Sequence, residues 1–156
     1  MHRLIAVTIL TLVVAGCGPG KPEAASSAAS ATEMSRAVVD PYLKIDTALA
    51  SDSIEGVKAH AGEVATAATA LGAFGVKIST SALQLAAAED LADARVKFGA
   101  LSEALDVYMS AEQLTPPAGI RVAFCPMVMK PWLQEDGPLR NPYYGSSMLT
   151  CGSFRN

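Results

Sequence analysis

From Met34 to Leu114 apolar side chains recur at three- and four-residue spacing, the period that turns one stripe of a helix toward a core. Tyr42, Ile45 and Leu49 begin the pattern. Asp40-Pro41 fits a cap followed by proline at the first helical position, and the helix is also free to begin upstream at Ser35. Ile54, Val57, Ala61, Val64, Ala68 and Leu71 form a second stripe, headed by Asp52 and Glu55 at capping-box spacing and running to Gly72. Residues 72–81, with Phe74 and Gly75, are expected to be a connection. Leu83, Ala87, Leu91, Ala94, Phe98, Leu101, Leu105 and Tyr108 then predict one long helix that stops before Pro116-Pro117. The many alanines let helices approach closely. The expected fold is all-α, an antiparallel bundle of three to four helices.

The pattern changes abruptly at residue 121. Residues 121–156 hold Phe124, Trp132, Tyr143, Tyr144 and Phe154, together with Met127, Met129 and Met148. Pro126, Pro131, Pro138 and Pro142 exclude a long helix there, and Asn141-Pro142 and Gly145 read as turns. A segment so rich in aromatics is not a solvated tail. It is expected to be a loop or short hairpin packed on the bundle, with Trp132 and the tyrosines as anchors.

The other end of the chain has the three parts of an export signal. Met1-His2-Arg3 is basic, Leu4 to Val14 is apolar apart from threonines, and Val14-Ala15-Gly16 places small residues before Cys17. The apolar run is too short to span a bilayer. Ending in Cys, the site resembles the bacterial lipobox, which implies cleavage after residue 16 and lipid on Cys17. Residues 17–33 read as a lipidated tether, since a Gly-, Pro-, Ser- and Ala-rich stretch buries too little surface to order itself. One domain, 34–156, follows. The expected location is a bacterial membrane facing the periplasm, with Gly18 after the lipidated residue favouring the outer membrane.

Net charge is −3 and no basic cluster is present, so nothing points to nucleic acid. Lipidation of Cys17 leaves Cys125 and Cys151 as a pair in an oxidising compartment. Cys125-Pro126-Met127-Val128-Met129 and Met148-Leu149-Thr150-Cys151-Gly152 bracket the terminal segment with two thiols and three thioethers. Soft sulfur donors suit Cu(I) or Ag(I). If the turn at 141–145 folds the clusters together, Cys125, Met127, Met148 and Cys151 converge on one ion; Met129 is the weaker candidate. The competing reading is a Cys125–Cys151 disulfide with the methionines as packing. Catalysis has no support: the terminal segment lacks histidine, and His60 reads as a structural or surface group. Arg95 and Glu103 read as solvated or locally paired charges.

Two stretches resemble an uncharacterised exported-domain family that occurs alone or fused to periplasmic adaptors of copper/silver efflux systems. One is Asp93-Ala94-Arg95-Val96-Lys97-Phe98-Gly99-Ala100-Leu101-Ser102, similar to an aaR-x-x-F-x-x-L-S helix. The other comprises Cys125-Pro126-Met127, Trp132-Leu133 and Asn141-Pro142-Tyr143-Tyr144-Gly145-x-x-Met148-Leu149-x-Cys151-Gly152. The resemblance implies a helical domain with a heavy-metal role, Cys125, Met127, Met148 and Cys151 being the matching positions, and a metal-efflux adaptor as partner, whereas the disulfide reading predicts a non-catalytic interaction module that docks on another envelope protein. Met129 lies outside the shared pattern.

Overall fold

A computed structural model describes residues 33–155. The signal, Cys17 and the tether up to residue 32 lie outside the described residues. Four helices come first: α1 (Arg36–Ala50), α2 (Val57–Ala68), α3 (Gly72–Ala86) and α4 (Leu91–Ala111). They pack in sequence, α1 on α2, α2 on α3 and α3 on α4, and α1 also returns to touch α4. Three strands follow: β1 (Ile120–Cys125), β2 (Lys130–Glu135) and the two-residue β3 (Ser153–Phe154). They form one antiparallel sheet in the order β2-β1-β3.

The domain is therefore mixed α/β, and the all-α bundle expected from the helical stripes is wrong. Strand pairing decides this. The segment 120–135 folds back on itself with Ile120 opposite Glu135 and Cys125 opposite Lys130, and the chain end adds β3 beside β1. Backbone hydrogen bonding satisfies a proline-punctuated segment that cannot continue as helix.

Three helix boundaries also differ from expectation. Residues 72–81 are not a connection: α3 starts at Gly72 and buries Ile78, Ser81, Ala82 and Leu85 on its inner face. Leu83, placed on the long stripe, is instead 57% exposed. The long helix is broken at 87–90, where the Asp90 carboxylate accepts from the Asp93 amide at 2.8 Å and restarts the chain as α4. The capping Asp90 and Asp93 in the first turn make that restart favourable, because the amides there have no helical partner. Asp52 and Glu55 do not cap α2, whose N-cap is Gly56 in the left-handed region. Helix α1 begins after Ser35 and carries Pro41 inside it.

The sheet docks on the helices through its outermost strand. An exposed β2 edge would leave backbone groups unpaired, and two buried tyrosines meet them. Tyr42 of α1 accepts from the Leu133 amide at 3.3 Å and shares a 2.7 Å hydrogen bond with Ser102 of α4. The Tyr143 hydroxyl donates to the Pro131 carbonyl. Their rings close the core around Phe98, 4.9 Å from Tyr42 and 5.8 Å from Tyr143, with Trp132 edge-on to Tyr143. Trp132 donates its indole N–H to the buried Gln134 side chain at 3.2 Å. Among the described residues no helix is long and apolar enough to cross a membrane.

Candidate thiol site

Pairing of β1 with β3 brings together two cysteines that lie far apart in sequence. Cys125 is the last residue of β1 and fully buried. Phe124 opposes Ser153, so Gly152 and Cys151 pass beside the end of β1. The two thiols interact directly. The Cys151 thiol is pushed up, first by its own partial desolvation and then by the charge and hydrogen bond of Cys125. Both cysteines are free thiols, so the disulfide of the alternative reading is not formed in this structure.

Asn141 holds this arrangement. Its Oδ1 accepts from the Tyr143 amide at 2.8 Å, which fixes the Nδ2 group toward sulfur. That group donates to Cys125 Sγ at 3.3 Å and to the Cys151 carbonyl at 2.7 Å. The side chain is fully buried, and one residue thus ties the β1 end, the 141–145 turn and Cys151. Sequence reading placed Asn141 in a turn and assigned it nothing further. The signal was there in Asn-Pro, since an Asn side chain that bonds the backbone two residues on is a recurring turn device. Gly152 is fixed by space: a Cβ there would lie 2.7 Å from Trp132 Cη2 and 2.9 Å from the Phe124 carbonyl oxygen, at φ +141°.

Two of the three thioethers turn to solvent. Met127 and Met129 sit in the turn between β1 and β2, 62% and 66% exposed, and Met129 has φ 55°. They are not on an extended strand with one sulfur in and one out. Met148 is half-buried, and its carbonyl accepts from the Cys151 amide at 3.0 Å. Among the described residues no group of three or more His, Cys, Asp or Glu side chains is close enough to hold a metal ion. His60 pairs with Glu63 one helical turn on, at 3.2 Å.

Arg95 is the group that sequence reading undervalued. It is not merely a solvated or locally paired charge: its Nε donates to the Pro142 carbonyl and its Nη2 to the Leu49 carbonyl, both at 3.0 Å, and it pairs with Asp52 at 2.5 Å. Asp52 also accepts from the Ser146 amide at 3.1 Å. Hydrogen bonds from Ser146, and then from Arg95, lower the Asp52 pKa from 3.8 to about 2. Gly145 passes so close to this pair that a Cβ would collide with Asp52 Oδ1 and Arg95 Nη2. Glu103 bonds Lys130 at 2.5 Å. Arg95, Phe98, Ser102 and Glu103, all on α4, thus meet the terminal segment or its anchors. Between α4 and the hairpin turn lies a cleft of about 370 Å³, floored by Gly99 and walled by Val96, Val128, Tyr143 and Tyr144.

Comparison of the chain with known protein families, with curated proteins and with solved structures finds no match.

Proposed function

We propose that this is a membrane-anchored periplasmic lipoprotein that binds a soft metal ion, Cu(I) or Ag(I), as a buffer or hand-over protein for metal efflux. The observation that carries the reading is the contact between Cys125 and Cys151, with Asn141 donating to the Cys125 sulfur. Soft thiolates select Cu(I), an ion that tolerates few ligands. In this reading the two cysteines hold the ion, Met148 stands beside Cys151, and the exposed Met127 offers a thioether to incoming metal. Met129, equally exposed, is the weaker ligand. The resemblance to a family fused to copper/silver efflux adaptors supports the same conclusion. Lipid on Cys17 confines the domain to capture near the membrane or transfer to a partner within the tether's reach.

The test is an anaerobic Cu(I) titration of the reduced full chain against a Cu(I)-specific chelator. One ion per chain is expected, with loss of that binding in Cys125→Ser and in Cys151→Ser. Stoichiometric binding unchanged by both substitutions refutes the site.

A second reading, a non-catalytic interaction module stapled by a Cys125–Cys151 disulfide, is favoured by the cleft beside the exposed Met127, Met129 and Val96. Exposed apolar side chains around a preformed hollow are the usual marks of a docking surface. Thiol counting by non-reducing mass spectrometry on protein taken from its own envelope separates the two. Two reactive thiols eliminate the staple.

A further inference from the structure

Asp46 lies on α1 one turn beyond Tyr42 and is only 4% exposed. Its Oδ1 has no hydrogen-bond partner in the structure. A buried polar atom left unpaired costs free energy, and native folds rarely leave one without a reason. The carboxyl lines a cavity of about 110 Å³ with Glu135, Asp136, Gln134, Pro138 and Arg140.

The lining tells what the cavity accepts. Asp46, Glu135 and Asp136 line it with a single cation, Arg140, whose Nη2 donates to Ser51 Oγ at 3.1 Å. Asp136 has Arg121 at 3.8 Å on its far side. Thr47 also lines the cavity, and the Gln134 side chain is spent. Its Oε1 accepts from Trp132 and from the Arg140 amide, and its Nε2 donates to the Glu135 and Pro138 carbonyls. Carboxylates outnumber the guanidinium in the lining, and the atom left unpartnered is an acceptor, Asp46 Oδ1, so the cavity suits a cation. The carboxylates do not converge into a compact metal-ligand group. An ammonium needs no such shell, since each N–H finds its own acceptor along a hydrogen bond. The volume holds roughly three water-sized groups, enough for an ammonium head and its first carbons.

We infer that the cavity at Asp46 is a binding site for a primary ammonium group, with the unpartnered Asp46 oxygen as its principal acceptor. Glu135 and Asp136 at the mouth draw the cation in, and Gln134 holds the wall. Burial, opposed by Arg140 and reinforced by Glu135, raises the Asp46 pKa, and a bound ammonium would act in the opposite direction by favouring the carboxylate.

The experiment titrates the purified full chain with butylammonium chloride while following the Asp46 carboxyl carbon and the Gln134 and Glu135 amides by NMR. Sodium chloride and tetramethylammonium chloride serve as controls. Saturable shifts with butylammonium alone are expected. Asp46→Asn should weaken binding about tenfold or more, the scale of one charged hydrogen bond. Glu135→Gln, a surface change, should weaken it less and covers the case in which the first variant folds poorly. Putrescine and Nα-acetyl-lysine amide distinguish a free polyamine from a partner's lysine, and saturable binding of either supports the site. Shifts matched by sodium or tetramethylammonium, or both variants binding within about twofold of the parent, overturn it.

Discussion

Replacing Tyr42 with Phe removes one oxygen atom and tests how the sheet is joined to the helices. The ring keeps its place 4.9 Å from Phe98, so apolar burial is unchanged. The lost hydroxyl leaves the buried Leu133 amide without an acceptor and frees the Ser102 hydroxyl. Ser102 lies inside α4 and can turn its hydroxyl to the carbonyl one turn back. The amide has no such escape. Orphaning a buried donor costs about 1–3 kcal/mol, and the 3.3 Å length of this bond places the expectation near 1.5 kcal/mol. Urea unfolding should show a lower midpoint at constant slope, with Tm reduced by roughly 5 °C. Hydrogen exchange at Leu133 should accelerate, whereas Ser102→Ala should leave it protected because Tyr42 still accepts. Destabilisation below about 0.5 kcal/mol, the range of ordinary surface changes, with unchanged Leu133 protection would refute the argument.

Gly152→Ala should destabilise the fold by about 2–4 kcal/mol, from overpacking against Trp132 added to a strained φ, measured by chemical unfolding. Arg95→Ala should cost about 2 kcal/mol, and Arg95→Lys should not rescue it, because one ammonium cannot reproduce the guanidinium fork that bonds Pro142, Leu49 and Asp52. The pH dependence of stability carries two opposite contributions. Asp46 binds its proton more tightly in the folded chain, so its contribution is greatest below about pH 4 and is lost as pH rises through the raised folded pKa. Asp46→Asn should remove that loss in thermal melts taken from acid to neutral pH. Asp52 acts the other way. Its contribution is present above about pH 4 and disappears as pH falls toward 2, so Asp52→Asn should flatten the acid limb.

Much of the helical half is legible because burial there follows a local period. Ile45, Leu49, Val64, Phe98, Leu101 and Leu105 lie on the expected stripes, and all are buried. The errors fall where local rules compete. Glycines at 72 and 75 read as a connection, yet Phe74, Ile78, Ala82 and Leu85 keep helical spacing and packing holds α3 together. Leu83 to Tyr108 read as one helix because alanines at 86–88 fit either state, and the Asp90 cap broke it.

By itself the sequence determined the helical stripes, the aromatic anchoring of the terminal segment and the set of candidate sulfurs, all of them set by residue type and short spacing. Only the tertiary structure decided that residues 120–135 pair as a hairpin and that the chain end adds a third strand, since pairing is chosen between residues far apart. It also decided which sulfurs meet. The β1–β3 register carries Cys151 to Cys125, and the tight turn before β2 leaves Met127 and Met129 in solvent. Asn141, Arg95 and Asp46 gained their roles in the same way, because a hydrogen-bond partner, or the lack of one, exists only once distant segments share a core.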